Sequence, residues 1–239
     1  MNTIQLPFPK PHMIAHRGLS GLEVENTCSA FVAAGNRGFF GIETDVHITS
    51  DGQCIIIHDD TTGRVANKNL PVEKTPYAAL RELKLKDRFE KPARKDLALP
   101  SLTEYSQICK KYEKTSVLEL KNPMEKQSIE RVIDCVRNVG WLENTIFISF
   151  DLNNLLCLRS YLPEQKAQYL TEKPIKELPD LLAYHHLDLD IRYRSLTKEL
   201  AQAVHEKGRE INVWTVNTIR SARRMIQMGV DYITTNILE

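Results

Sequence analysis

The amino-acid sequence predicts an α/β protein with the (β/α)₈ barrel, or TIM barrel, architecture and a small insertion after the second strand. Short apolar runs alternate with amphipathic helical patterns almost from end to end, which is typical of a parallel sheet. Outside one irregular segment, about eight strands alternate with helices. The length of 239 residues is close to the ~250 typical of such barrels. We therefore expect one domain spanning residues 1–239.

The first part of the chain contains a strand, a helix and a predicted hairpin. The run HMIAH (12–16) predicts the first strand, and ENTCSAFVAAGNRG predicts a helix capped by Asn26 or Thr27. FFGIETDVHI predicts the second strand, and after an SDG turn QCIIIH predicts a further strand. Residues 59–100 then hold many lysines and arginines without long periodicity. We interpret them as an inserted segment with a solvated, lid-like face.

The rest of the chain alternates regularly between helices and strands. The predicted strands are SVLELK, TIFISF, KAQYL, LDLDI, EINVWTV and VDYITTN. Because the chain stops three residues after TTN, we expect the eighth helix to be missing or vestigial. A doubly wound open sheet is the competing architecture, but the first strand–helix turn, HRGLSGLEVEN, lacks the glycine fingerprint of a dinucleotide site.

Composition and charge narrow the functional classes. A net charge of +1, without a basic aromatic stripe, argues against nucleic-acid binding. The start of the chain has no signal-peptide pattern, and its apolar runs are far shorter than the ~20 residues that span a bilayer. The five cysteines are scattered and never spaced as C-x-x-C. We expect a cytoplasmic protein with reduced thiols, a small-molecule partner and no stable membrane insertion.

Acidic residues within the apolar strands predict a cation site. Side chains alternate along a strand, so Glu43 and Asp45 share one face, as do Glu119 and Lys121. If both faces point into the barrel, three carboxylates converge, and their mutual repulsion raises each pKa. A bound cation would keep them ionised. Oxygen ligands on a rigid scaffold suit Mg²⁺ or Ca²⁺ better than Zn²⁺.

Other polar and aromatic residues fall at the same ends of the predicted strands, where barrel active sites form. They are His16, Arg17, His58, Phe150 and Trp214. Histidines beside a cation suit general acid–base chemistry. Arg17 and Lys121 add positive charge, which suits an anion whose charge grows during reaction, such as a phosphodiester.

Each of these features has a simpler structural interpretation. A strand Glu-x-Asp is more often salt-bridged than metal-bound, Lys121 can simply pair with Glu119, and a lone histidine or tryptophan is often a core residue. His47 shares the face of Glu43 and Asp45, but we interpret it as structural. The functional interpretation depends on the combination, because all the selected residues fall at one end of the strands.

The sequence resembles the glycerophosphodiester phosphodiesterase family. The resemblance covers about residues 12–236 and is carried by motifs in the same order: AHRG, ENT, GIETDVHITSDG, IHDDTTGR, LPSLTE, LELK, SFD, VWTVN and GVDYITTN. Two departures are Val24, where the family often has proline, and Asn236, where the family has aspartate with a nearby proline. Neither changes the residues expected in catalysis.

The resemblance implies the barrel and its insertion, and it implies roles for the selected residues. The cation would be held by Glu43, Asp45 and Glu119, and His16 and His58 would act as acid and base without a fixed assignment. The remaining implied roles are phosphate contact by Arg17 and Lys121 and lining of the pocket by Phe150 and Trp214. The implied reaction converts glycerophosphodiesters to sn-glycerol 3-phosphate and an alcohol through a cyclic phosphate.

Two alternatives remain open. One is a phospholipase-type phosphodiesterase that acts on lipids, which would need an exposed apolar rim. The inserted segment offers Tyr77 and Phe89 as its aromatic residues, so soluble diesters are favoured. The other alternative is a catalytically silent binding barrel.

Overall fold

The structure, a computed structural model, describes residues 2–87, 94 and 96–239, and it confirms the predicted barrel. The strands are β1 (His12–Ala15), β2 (Gly41–Ile48), β3 (Cys54–Ile56), β4 (Thr115–Leu120), β5 (Thr145–Ser149), β6 (Ala167–Thr171), β7 (Asp188–Arg192), β8 (Ile211–Trp214) and β9 (Tyr232–Thr235). Parallel pairing runs in the order β1-β9-β8-β7-β6-β5-β4-β2, and β1 pairs with β2 to close the ring. β3 lies antiparallel to β2.

Helices connect neighbouring barrel strands. They are α1 (Cys28–Gly35), α2 (Tyr77–Arg81), α3 (Leu102–Lys111), α4 (Lys126–Val139), α5 (Leu152–Tyr161), α6 (Leu178–Tyr184), α7 (Lys198–Glu206) and α8 (Ile219–Gln227). The short α2 belongs to the inserted segment. The side chain of Thr27 caps α1 by accepting from the backbone N–H of Ala30, so Thr27 and not Asn26 is the cap. In the described part of the chain no helix follows β9.

The barrel interior contains an apolar layer that supports the polar strand ends. Six inward side chains from five strands form this layer: Ile14, Val117, Ile146, Ile148, Leu170 and Tyr232. Ile14 and Val117 lie two residues before His16 and Glu119, so the same strand faces turn from apolar to polar near their carboxyl ends. The opposite strand faces pack against the helices in a larger apolar core. The site is therefore built on rigid, packed strands.

The inserted segment between β3 and α3 packs more tightly than a solvated lid. Its apolar residues form a separate buried cluster that includes Val72, Leu80 and Leu99, so the interpretation of its surface as mainly solvated was incomplete. Tyr77 packs against this cluster. Phe89 lies outside the described residues, and its predicted place in the segment is not described.

Hydrogen bonds connect the inserted segment to the barrel. His47 is buried on β2, with Nδ1 2.9 Å from Oε1 of Glu73 and Nε2 3.4 Å from the carbonyl oxygen of His58. The side chain of Asn122, just after β4, donates to Glu73 and Asp60. The structural interpretation of His47 therefore agrees with its contacts. Within the described residues, no helix combines the length and apolarity that crossing a bilayer requires.

We predict that Tyr105→Phe weakens the attachment of α3 to the barrel. The buried hydroxyl of Tyr105 donates to the carbonyl oxygen of Ile42 at 2.6 Å and accepts from Ser116 at 2.9 Å. Its removal leaves both buried partners without this bond, so the free energy of unfolding should fall by about 1–3 kcal/mol in urea titrations. Tyr112→Phe is the matched control, because that hydroxyl accepts a surface bond from Asn36 at 3.4 Å. Equal losses in the two variants would contradict the prediction.

Candidate active site

The predicted residues meet at the carboxyl-end mouth of the barrel. A cavity of about 80 Å³ is lined by most of them and by further neighbours: His16, Arg17, Glu43, His58, Glu119, Ile148, Phe150, Leu170, Asp190, Trp214, Thr215 and Thr234. Asp45 and Lys121 are not part of this lining, but both lie against its glutamate carboxylates. A larger surface groove of about 590 Å³ lies against α3 and α4, but it contains none of the residues selected from the sequence.

The three acidic residues form a compact, buried group. Carboxylate oxygens of Glu43, Asp45 and Glu119 all lie within 4.8 Å of one another. They converge because Asp45 is in register with Glu119 on the neighbouring strand and Glu43 is one inward position earlier on β2. Oδ1 of Asp45 is buried without a hydrogen-bond partner among the described residues. An oxygen-only donor set of this size fits a hard divalent cation.

Crowding of negative charge changes the pKa values of these acids. Burial, reinforced by the charge of Asp45, raises the pKa of Glu119 to about 8. Burial and the same neighbour raise the pKa of Glu43 well above its usual value. Burial also acts to raise the pKa of Asp45, but the charges of Arg17, His58 and Lys121 outweigh it and lower that pKa. Without a bound cation, the group therefore tends to retain protons on its two glutamates.

The two predicted phosphate-binding cations are paired with carboxylates. Nζ of Lys121 lies 2.9 Å from Oε1 of Glu119 and 3.8 Å from Oδ1 of Asp45. Nη1 of Arg17 lies 2.9 Å from Oε1 of Glu25, and its Nε lies 3.7 Å from Oδ2 of Asp45. Burial acts to lower the pKa of Lys121, but the adjacent acids raise it. Both cations therefore stay charged while partly neutralising the acidic group.

The ENT motif supports this group with three consecutive side chains. Glu25 accepts from Arg17 and Arg64; burial opposes its ionisation, but these bonds lower the pKa of Glu25 to about 2. Asn26 is buried, and its Nδ2 donates to Oδ2 of Asp45 at 2.8 Å. Thr27 caps α1. The motif therefore fixes Arg17 and Asp45 while it starts the first helix.

His16 directly follows the first barrel strand, and its side chain contacts a residue that directly follows the last one. Its ring is partly buried, and Nδ1 lies 2.7 Å from Oδ1 of Asn236, just after β9. The backbone N–H of Asn236 donates to Oδ1 of Asn217, which fixes the turn that carries it. Burial, aided by the charge of Arg17, lowers the pKa of His16 to about 4. The ring is therefore neutral at physiological pH.

The turn after His16 places a backbone donor on the acidic group. Arg17 has a φ of 54°, and its N–H donates to Oε2 of Glu43 at 2.8 Å. Gly18 follows with a φ of 73°, and a Cβ there would lie 2.6 Å from the backbone carbon of Ala30. Glycine is therefore required at this position by both conformation and space.

His58 reaches the cavity from the segment after β3. The N–H of Ile57 donates to the carbonyl oxygen of Asp45 at 3.1 Å, which joins this segment to β2. Nδ1 of His58 lies 2.6 Å from Oδ1 of Asp59, and Arg64 donates to the same carboxylate. Burial lowers the pKa of His58, against the charge of Asp45. The bond from Arg64 keeps Asp59 ionised, with a pKa of about 2.

The predicted aromatic pair borders the cavity mouth. Phe150 and Trp214 contact each other edge to face, with ring centroids 5.7 Å apart. Phe150 is 45% exposed, whereas Trp214 is partly buried. Nε1 of Trp214 is buried without a hydrogen-bond partner among the described residues. The pair therefore offers an apolar wall and one free N–H donor.

Four supporting residues were missed as site residues in the sequence. Asn26, Asp59 and Asn236 orient Asp45, His58 and His16, and Asp190 lies on the cavity wall. Asp59 directly follows His58, and Asn236 follows the last strand, so strand-end position was an available signal for both.

We predict that His16 does not titrate near neutral pH in cation-free buffer. Its Cε1–H signal in NMR should have a midpoint near pH 4, well below the ordinary value of 6.5. Because the folded pKa lies below the unfolded one, the unfolded chain binds more protons between these values, and stability should decrease as pH falls through that window. His16→Gln assigns the signal and should reduce this pH dependence. A midpoint above pH ~6 would contradict the burial effect.

Comparisons with known proteins agree with this geometry. A sequence model of the glycerophosphoryl diester phosphodiesterase family matches residues 16–239. A glycerophosphodiester phosphodiesterase of Caldanaerobacter subterraneus is 29% identical over 95% of this chain and 94% of its own. A glycerophosphodiester phosphodiesterase of Bacillus altitudinis is 28% identical, with 94% of each chain covered.

Solved structures share the fold. A glycerophosphodiester phosphodiesterase of Parabacteroides distasonis has a TM-score of 0.81 at 25% identity, covering 95% of this chain and 94% of that one. An Oleispira antarctica phosphodiesterase, solved with its product sn-glycerol 3-phosphate, has a TM-score of 0.89 at 24% identity, covering 95% of this chain and 93% of that one. With the motifs and the site geometry, these matches show that the chain belongs to the glycerophosphoryl diester phosphodiesterase family, a family of phosphoric diester hydrolases.

Proposed function

We propose that the protein hydrolyses glycerophosphodiesters to sn-glycerol 3-phosphate and an alcohol in a cation-dependent reaction, with residues 1–239 acting as one catalytic domain. The observation that carries the proposal is the meeting of His16, His58 and the three-carboxylate group at one cavity in a member of this family. The product bound to the Oleispira antarctica relative supports a small phosphorylated ligand. A silent binding barrel would not need two histidines with separate polar partners.

In the first step, the histidines move protons on opposite sides of phosphorus. One histidine takes the proton of the glycerol hydroxyl next to the phosphate-bearing carbon, and that oxygen attacks phosphorus. The bond between phosphorus and the alcohol oxygen breaks, and the other histidine protonates the departing oxygen. The asymmetry of the partners favours His16 as base, because it is neutral with Asn236 on Nδ1. It favours His58 as acid, because the Asp59 carboxylate on Nδ1 opposes the burial that lowers the pKa of His58.

In the second step, water opens the cyclic phosphate with the roles reversed. His58 takes a proton from water, and the water oxygen bonds to phosphorus. The bond between phosphorus and the glycerol oxygen that attacked in the first step breaks, and His16 returns a proton to that oxygen. Arg17 and Lys121 compensate charge on the phosphoryl oxygens, for which each must turn partly from its carboxylate partner.

Glu43, Asp45 and Glu119 would hold the divalent cation. When bound, such an ion supplies positive charge that polarises a phosphoryl oxygen. The carboxylates would be ionised in that state, because the ion offsets the repulsion that raises the pKa values of the two glutamates. Mg²⁺ and Ca²⁺ both suit the oxygen donors.

We predict turnover of soluble glycerophosphodiesters that requires a divalent cation. Glycerophosphocholine, -ethanolamine, -glycerol and -inositol are assayed with Mg²⁺, with Ca²⁺ and with EDTA, and sn-glycerol 3-phosphate is measured. EDTA should lower the rate at least ~100-fold, and added cation should restore it. Glu119→Gln keeps the side-chain shape but removes a ligand charge, so it should raise the cation concentration needed for half-maximal rate. Full activity in EDTA would contradict the cation role, and no product from any diester would support a silent barrel.

We also predict that His16→Ala and His58→Ala each lower kcat by about 10²–10⁴-fold, because each removes one proton-transfer group. Circular dichroism and thermal melting should show an intact fold. His205→Ala on α7 is the matched control, because His205 is 36% exposed and bonds Asp231 away from the cavity. Comparable losses in all three variants would mean that the effect is not catalytic.

A second candidate function is hydrolysis of lysophospholipids, and one observation favours it. Exposed apolar side chains follow three barrel strands: Phe150 and Ile175 are in the loops after β5 and β6, and Ile219 is the first residue of α8, after β8. Such residues at the carboxyl-end face could contact an acyl chain. A lysophosphatidylcholine arm in the same assay decides between the two substrate classes.

A further inference from the structure

Asp190 is a buried carboxyl group that the proposed chemistry does not use. It lies in the middle of β7, is 2% exposed and lines the same cavity as His16 and Glu119. Its Oδ1 has no hydrogen-bond partner among the described residues. Asp190 is also outside the group of three carboxylates that could hold a cation. A polar atom buried in this way without a partner costs free energy, which points to a ligand group that completes it.

The orientation of Asp190 follows from the barrel. Asp190 is in register with Asn212 on β8 and Leu170 on β6, and both of these positions belong to the inward faces. Asn212 is satisfied by its own neighbours, donating to Gln168 and accepting from Thr234. The inward-facing polar residues Gln168, Asn212 and Thr234 therefore bond one another, and Asp190 faces the cavity outside that network.

Trp214 provides a second unpaired group on the same wall. Its indole N–H is buried without a hydrogen-bond partner in the described part of the chain, and the residue lines the same cavity. Burial and the charge of Glu119 raise the pKa of Asp190 well above its usual value, which favours the neutral carboxyl group. A neutral carboxyl offers one O–H donor and one carbonyl acceptor. Together with the indole donor, this arrangement matches an alcohol hydroxyl, which both donates and accepts.

We propose that Asp190 and Trp214 form a hydroxyl-binding subsite that recognises the free terminal hydroxyl of the substrate's glycerol group. This inference rests on the proposed function, because it places the glycerol group in this cavity. The adjacent hydroxyl remains available for attack on phosphorus. Asp190 is far less exposed than His58 and Phe150 at the mouth, so it lies at the closed side of the cavity. The subsite would therefore select unesterified glycerol and disfavour the acylated glycerol of lysophospholipids.

The test compares two diesters that differ in that hydroxyl alone. Glycerophosphocholine is assayed beside 2-hydroxypropyl phosphocholine, which keeps the attacking hydroxyl and the leaving group. We expect the wild-type protein to prefer the glycerol compound by about 100-fold in kcat/KM, because the analogue leaves buried polar groups unpaired. Asp190→Leu should reduce that preference to about threefold or less. Asp190→Asn keeps a neutral donor and acceptor of the same shape, so it should retain most of the preference.

Controls separate this inference from the fold and from the proposed function. Asp190→Leu should fold normally, since it removes an unpaired polar group, and thermal melting checks this. Asp188→Asn, on the same strand, should keep the wild-type preference, because Asp188 accepts from the backbone of Glu210 outside the cavity lining. A folded Asp190→Leu protein that keeps the full preference would overturn the subsite while leaving the proposed function intact.

Binding provides a readout that does not depend on turnover. Calorimetry with sn-glycerol 3-phosphate and with 2-hydroxypropyl phosphate should show the same preference in wild-type protein and its loss in Asp190→Leu. If the wild-type protein hydrolyses neither diester, the proposed function fails, and these two dissociation constants then decide the subsite. Equal affinity of the wild-type protein for both phosphates would overturn it.

Discussion

The constraint on which the site depends is the crowding of three buried carboxylates at the mouth of the barrel. Glu43, Asp45 and Glu119 lie within 4.8 Å of one another, and Arg17 and Lys121 compensate part of their charge. Leaving buried charge uncompensated is costly, so the metal-free site retains protons. Supporting residues reduce this cost, because Asn26 and the backbone N–H of Arg17 donate hydrogen bonds to the carboxylates. The same imbalance makes the site suited to a small divalent ion.

The barrel makes such crowding feasible because its strands are rigid and their registers are fixed. Asp45 and Glu119 face one another across β2 and β4, and apolar side chains on the inward strand faces pack beneath them. A one-residue shift of either strand would turn its carboxylate outward among the helices. The helices, in contrast, contribute few groups to the chemistry. The packing that fixes the strand registers therefore also fixes the positions of the carboxylates in the site.

The barrel and nine residues at its mouth could be predicted from the sequence. The physical signals that made this possible also explain which features could not be predicted. Strands buried on both faces appear as apolar runs, so a charged residue within one is conspicuous. Asp190 was not selected because LDLDI is a weak strand in which Asp188 and Asp190 have the same parity, and sequence alone does not show which one meets the cavity. The contact of His16 with Asn236 depends on closure between the first and last strands, which is a non-local pairing. The packing of the inserted segment was missed because its apolar residues follow no helical or strand period.

The position of His58 on the segment after β3 has a consequence for how the protein would lose activity. Beyond the buried bonds of Ile57 and His47, that segment is joined to the barrel by a separate apolar cluster and by ion pairs such as Arg64–Glu25, in which Arg64 is 46% exposed. Exposed pairs are weak and are screened by salt. A unit held in this way can open locally at a smaller free-energy cost than the barrel requires for global unfolding. Warming or concentrated electrolyte would then withdraw one histidine from an otherwise folded barrel, so inactivation and denaturation would be separate events.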